Sequence, residues 1–339
     1  MGTYRVAQVA AAGERFTIAE REQTPPGPGH VRIAVEACGV CHSDAYFVGG
    51  VLPGLRFPVV PGHEIAGRIA EVGEGTPEVW RVGDRVAVGW FGGSCRVCTP
   101  CRQGDFIVCR NLKVPGGAYE GGYAESVTAP VDALARIPDA LSAEDAAPLG
   151  CAGVTTFNGL RRSAARPGDR VAVLGVGGLG HLAVRYAVAM GFETIAIARG
   201  PAKADFAKQL GAHHYVDSTG STDVAQALQA LGGAHVVLAT ATDSEAVSAT
   251  VDGLTPRGEL VVIGIDAAPL RITPGQLIMP ARTVHGHPSG TAQDVEDTMA
   301  FSALHGIRPM NETMPLAQAD EAFQRMMAGS ARFRMVLTM

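Results

Sequence analysis

No run of lysine or arginine occurs in the 339 residues, charged residues make up only 18%, and the formal net charge is −5. The chain therefore lacks the positive footprint that nucleic acid or an anionic membrane surface attracts, and a small molecule is the expected partner. Low-complexity tracts are missing and the 21 prolines are near average, which sets disorder aside. The most apolar stretch, residues 171–192, is interrupted by five glycines, His181 and Arg185, so no membrane span is expected. The opening MGTYRVAQVA lacks the charged-then-apolar build of a secretory signal, and Val6 breaks the myristoylation pattern that Gly2 would begin. Together these absences predict a cytoplasmic, reducing compartment.

Glycine is in excess: 43 residues, against roughly 24 at an average usage of about 7%. The glycines have no period of three, which excludes a collagen-like chain. With 47% hydrophobic content they predict a large core with many tight turns. At about 100–200 residues per domain, the length predicts two domains.

Seven cysteines, an odd number, argue against a disulfide framework and for metal or catalytic use. They are Cys38, Cys41, Cys95, Cys98, Cys101, Cys109 and Cys151, with none beyond residue 151. From Val31 to about Val88 the chain reads as short runs such as VRIAVEA, HEIAGRIAEVG and DRVAVG, whose alternation predicts an antiparallel, barrel-like or sandwich β-rich domain. From Pro167 apolar runs (RVAVLG, TIAIA, HYVD, HVVLAT, ELVVIG) alternate with helical patterns, including one over DSEAVSATVDGL. That alternation predicts βαβ units and a doubly wound parallel sheet.

Cys95, Cys98, Cys101 and Cys109 place four thiols within one glycine-bearing loop, residues 92–110. Four soft ligands close a tetrahedral zinc and leave no position for substrate, so this site is expected to be structural. The ferredoxin spacing of an iron–sulfur cluster, with its last Cys before Pro, is not met.

Gly175, Gly177, Gly178, Leu179 and Gly180 follow the strand RVAVL and open a helix, the context that makes a glycine pattern a dinucleotide site. Gly175 permits the turn, Gly177 the approach of a pyrophosphate, and Gly180 close packing of helix on strand. An NAD site usually carries Asp or Glu at the end of the next strand, whereas this chain has Ala198, followed by Arg199. A guanidinium able to fork onto a 2′-phosphate favours NADP(H), with NAD(H) as the alternative, and Lys203 adds a second positive charge.

The motifs GHE at 62–64, the cysteine loop, the glycine loop and the C-terminal ARFRMVL resemble the zinc-dependent medium-chain alcohol dehydrogenases over essentially the whole chain. The resemblance implies a Rossmann cofactor domain at 152–287 and a β-rich GroES-like catalytic domain at 1–151 plus 288–339. It also implies two zinc ions per chain. The catalytic one is held by Cys41, His63 and Cys151, with Glu64 able to approach the metal and Asp44 orienting His63. Ser43 matches the hydroxyl that takes the substrate proton. Tyr46 stands where many members have the outer relay histidine, and Cys38 has no counterpart and is assigned to packing. Cofactor contacts are implied for His42, Thr155, Ile263, Gly264, Ile265, His287, Ser289 and Arg334, and pocket positions for Trp90, Leu52 and Ile265.

The function implied is hydride transfer between a primary alcohol or aldehyde and the nicotinamide. The alternatives are an NAD-dependent alcohol dehydrogenase and a cinnamyl-type aryl aldehyde reductase. Relatives of this pattern are homodimers or homotetramers, and the apolar segment ELVVIGIDAAPLRI is expected to be a pairing edge.

Overall fold

Fifteen strands run through residues 2–220 and 222–339, the part of the chain that the computed structural model describes. In chain order they are β1 (Thr3–Gln8), β2 (Thr17–Glu22), β3 (His30–Val40), β4 (Ile65–Val72), β5 (Arg85–Val88), β6 (Ser126–Pro130) and β7 (Leu134–Arg136), then β8 (Arg170–Leu174), β9 (Glu193–Ala198), β10 (His214–Asp217), β11 (Ala234–Ala239), β12 (Leu254–Val262) and β13 (Thr283–Gly286), and finally β14 (Asn311–Pro315) and β15 (Arg334–Thr338). The chain divides into two compact units, Met1–Val154 with Ser289–Met339, and Thr155–Pro288.

The first unit holds a seven-stranded sheet in the order β14-β15-β3-β4-β5-β7, with β6 pairing β3, and a separate β1-β2 pair. Its neighbours are antiparallel except β14 and β15, which run parallel, so the sheet is mixed rather than purely antiparallel. Along β3, burial alternates from His30 to Glu36, as a strand with one covered face requires, and then Ala37 to Val40 are all buried. That doubly covered end delivers the chain to Cys41. Ile33, Ile65, Ile69, Phe47 and Tyr123 fill the core beneath.

The second unit is a six-stranded parallel sheet, β10-β9-β8-β11-β12-β13. Counted within the unit this is the order 3-2-1-4-5-6 of a doubly wound dinucleotide fold, with its reversal between β8 and β11. β8, β9 and β11 are buried almost throughout, which is why their sequences read as continuous β-branched and alanine runs. Of the expected pairing segment, Glu259–Val262 lies in β12, between β11 and β13, so that part is no sheet edge; the edge strand on that side is β13. The helical pattern over DSEAVSATVDGL is also broken, into a helix Ser244–Ser248 and a 3₁₀ turn Val251–Gly253. Ser248 and Thr250 turn their hydroxyls onto the carbonyls of Ser244 and Val247, a local competitor to the helix ladder. Among the described residues no helix is long and apolar enough to cross a membrane.

Candidate active site

Three segments of the first unit converge on one point. Cys41 follows the end of β3, and Ser43 and Asp44 open the short helix Asp44–Val48. His63 and Glu64 immediately precede β4, which pairs with β3 through Cys38 and Ile65. Cys151 sits in a π turn, Leu149–Gly153, between the helices Ala143–Pro148 and Val154–Arg161, and such widened turns recur at functional sites.

One ligand atom each from Cys41, His63, Glu64 and Cys151 lies within 4.8 Å of the others. The Cys41 and Cys151 sulfurs are 4.0 Å apart, against about 3.8 Å for two thiolates on a tetrahedral zinc with bonds of about 2.3 Å. His63 Nε2 is buried and has no hydrogen-bond partner, nor has Glu64 Oε2. A buried, unpartnered ring nitrogen beside two sulfurs is a donor set that fits zinc. His63 Nδ1 is engaged instead by Asp44 Oδ1 at 2.9 Å, which turns Nε2 toward the sulfurs. The Cys151 thiol beside it, and then His63, hold Cys41 well below the usual thiol range, against the effect of burial.

Glu64 pairs with Arg334 of β15, and both side chains are buried. Burial pushes the Glu64 carboxyl up to about 7, although Arg334 pulls it down. Trp90 sets its ring edge-on to His63, with centroids 5.0 Å apart, and Phe47 stands 6.3 Å from Trp90. Leu52 lies nearby in the chain, lining an apolar cavity of about 270 Å³ with Phe47, Leu55, Leu112 and Val114. Ser43 is half-buried, and its hydroxyl caps no helix N–H.

A second cluster gathers Cys95, Cys98, Cys101 and Cys109, again with all four ligand atoms within 4.8 Å. The backbone N–H groups of Cys95 and Asn111 both donate to the Cys109 sulfur at 3.3 Å. Backbone donation from Val97 and Cys98 pulls the Cys95 thiol down to about 6. Four sulfurs with no other donor among them fit a closed tetrahedral zinc. Cys38 is fully buried against Gly62 and Gly122, outside both clusters.

In the second unit the turn after β8 separates the glycine roles. Gly175 has φ +95°, and a Cβ on Gly180 would stand 1.8 Å from the Gly175 carbonyl oxygen. A Cβ on Gly177 would meet nothing within 4 Å, so the missing side chain leaves an open cradle at the helix N-terminus. His181, in the first turn of the helix Gly180–Ala189, donates from Nδ1 to the Gly177 carbonyl at 2.8 Å. Arg199 is exposed just past β9, and Lys203 is exposed as well. Two residues that sequence reasoning missed brace this corner. Asp217, opposite Ala198 on β10, accepts from Gly200 N–H at 2.8 Å, and the Tyr215 hydroxyl donates to the Gly200 carbonyl at 2.6 Å.

The remaining positions named by resemblance are scattered between the units. His42 is exposed, and Arg334 is occupied by Glu64. Thr155 is buried in the second unit, where Ile263 and Gly264 are half-buried, Ile265 is 63% exposed and His287 is half-buried. Ser289 is half-buried in the first unit. Tyr123, 79 residues from Asp44, was also missed: its hydroxyl donates to Asp44 Oδ2 at 3.0 Å. No sequence signal marks it, because the contact joins the segments after β3 and before β6, which meet only when those two strands pair.

Residues 27–139 match the family described as alcohol dehydrogenase GroES-like domain, and residues 178–303 match the zinc-binding dehydrogenase family. The alcohol dehydrogenase patD of Penicillium expansum is 43% identical over 337 residues, 99% of this chain and 98% of that protein. A cinnamyl alcohol dehydrogenase of Sorghum bicolor superposes with a TM-score of 0.90 at 30% identity, over 99% of this chain and 98% of that one. The protein CAD of Helicobacter pylori, solved with NADP(H), gives 0.85 at 28% identity, over 99% and 98%. With both halves matched and this identity sustained along the chain, the protein belongs to the zinc-binding, medium-chain alcohol dehydrogenase family.

Proposed function

We propose that this protein is a zinc-dependent alcohol dehydrogenase and aldehyde reductase that exchanges a hydride between a primary alcohol or its aldehyde and NADP(H). The observation that carries the reading is the unpartnered Nε2 of His63 beside the Cys41 and Cys151 sulfurs. In this reading Cys41, His63 and Cys151 hold one zinc, and Cys95, Cys98, Cys101 and Cys109 hold a second, structural one. Bound zinc supplies a Lewis acid that lowers the pKa of an alcohol hydroxyl and polarises a carbonyl. The nicotinamide supplies the hydride acceptor or donor.

The chain's own residues do the rest. Asp44 fixes the His63 ring, and the Trp90 ring beside it narrows the space for an aliphatic or aryl substrate. Ser43, half-buried with its hydroxyl uncommitted to the helix, takes the substrate proton in oxidation and returns it in reduction. On the second unit the open cradle at Gly177 receives the pyrophosphate, and Arg199, with no carboxylate at Ala198 to compete, pairs with the 2′-phosphate.

A homodimer or homotetramer is the proposed working state, supported by the free edge of β13 and by Ile278 and Met279, 71% and 87% exposed, just before it. Seven cysteines with no disulfide among them suit a reducing cytoplasm.

The test is to mix the protein with NADPH and benzaldehyde and follow the absorbance of the reduced nicotinamide, which is expected to fall. Ser43→Ala is expected to slow this by about 10²-fold or more with zinc content unchanged. No oxidation of NADPH or NADH with any of benzaldehyde, acetaldehyde or cinnamaldehyde would refute the activity. A cinnamaldehyde rate far above the other two would select the cinnamyl-type reading that the Sorghum enzyme's similarity supports.

A further inference from the structure

Asp44 carries more than His63. Its Oδ1 accepts from His63 Nδ1 at 2.9 Å, while its Oδ2 accepts from the backbone N–H of Cys41 at 2.9 Å and from the Tyr123 hydroxyl at 3.0 Å. One buried carboxylate thus ties the ring of one proposed zinc ligand to the backbone of another. Among the described residues, Tyr123 is the side-chain donor on Oδ2. We propose that Tyr123 is a positioning residue for the catalytic zinc site, acting through Asp44; this rests on the ligand set assigned above.

Tyr123 is itself held from several sides. Its backbone N–H donates to the Pro61 carbonyl at 3.0 Å, and its carbonyl accepts from Ala7 at 2.8 Å. Its ring meets Phe16 with centroids 5.6 Å apart. Gly62 lies against the same ring: it has φ +104°, and a Cβ there would stand 2.5 Å from Tyr123 Cδ1. The stretch that delivers His63 is therefore held by the backbone of Tyr123 and lies against its ring, while the hydroxyl reaches Asp44.

The chemistry explains why a donor is placed there. An ionised carboxylate has about four lone-pair sites, and out of water each one left empty is a cost. Three donors fill most of them and fix the carboxylate's rotation about its last torsion. Without the Tyr123 hydroxyl, Oδ2 keeps a single backbone donor, and the carboxylate is free to turn away from the geometry that aims His63 Nε2. Partners that orient a metal-ligating histidine typically contribute about 10- to 100-fold in metal affinity. Tyr123 acts one step further out, so its effect is set at the lower end.

The test uses Tyr123→Phe, which keeps the ring on Gly62 and removes only the donor. Zinc release from the purified, zinc-loaded enzyme to a chromogenic chelator is followed in wild type and variant. The two phases are assigned with Cys41→Ser, which lacks the catalytic-site phase, and Cys98→Ser, which lacks the structural one. The expected result is catalytic-site release about tenfold faster, with the structural phase unchanged. In an Asp44→Asn background, the same substitution is expected to add nothing. Release equal to wild type overturns the proposal. So does an equal acceleration of both zinc ions, which a merely structural role would give, or a tenfold effect that persists with Asn at position 44. Failure of the underlying ligand assignment is distinguishable, because Cys41→Ser would then still show both phases.

Discussion

Arg334 and Glu64 form a buried ion pair that joins β15 to the segment before β4 at the edge of the ligand cluster. The Glu64 oxygen not facing Arg334 would be 1.9 Å from a Cβ on Gly39, so glycine at that point of β3 is what gives the carboxylate its room. A buried pair of this kind is weak evidence for net stability, but removing Arg334 leaves Glu64 buried without its partner, either charged or obliged to take up a proton. Arg334→Met is accordingly expected to destabilise the fold by about 3–5 kcal/mol, read from urea unfolding, and adding Glu64→Leu to recover most of that loss. A single variant as stable as wild type would show that Glu64 finds another partner.

The cysteine loop is expected to behave independently of the reacting centre. Its four sulfurs lie within one short segment, Cys95 to Cys109. Cys98→Ser should lower the zinc content by one ion per chain in elemental analysis and increase proteolysis within residues 92–110, because a closed site contributes folding energy to its own loop. An unchanged zinc count would remove the structural zinc from this account.

What was legible in the sequence follows the range of the interactions involved. The cysteine loop and the glycine turn are local patterns, and β8, β9 and β11 announce themselves because burial on both faces leaves no room for polar residues. The same physics misled at residues 259–272. An apolar run such as ELVVI marks a strand covered by neighbours, not an edge, and the edge strand on that side, β13, is the less apolar TVHG. Cys41 and Cys151 stand 110 residues apart, so spacing could not join them, and only a family resemblance suggested the pair. Tyr123, Tyr215 and Asp217 belong to no motif, and their partners are met only through strand pairing.

Arg199 decides cofactor choice in the proposed reading. A charge-assisted hydrogen bond contributes about 1.5–3 kcal/mol, which is about a tenfold to hundredfold factor in binding. Arg199→Ala should therefore raise KM for NADPH by about that factor while leaving KM for NADH nearly unchanged. Equal changes for both cofactors would make Arg199 a solvated side chain with no part in selection.

Asp217 gives that corner a dependence on acid. The Thr219 hydroxyl, and then the Gly200 N–H, donate to its carboxylate and hold its pKa below the usual range, that is, below an unfolded value of about 3.9. Because the folded state then binds fewer protons than the unfolded one, the contribution is complete above the unfolded value and is lost as pH falls through the folded one. Urea midpoints of wild type should fall more steeply than those of Asp217→Asn as pH drops below about 4. Asn keeps an acceptor for Gly200 but has no proton to gain, so its curve lacks this component. Two parallel curves would mean that Gly200 and Thr219 bind a carboxylate whose ionisation is the same folded and unfolded.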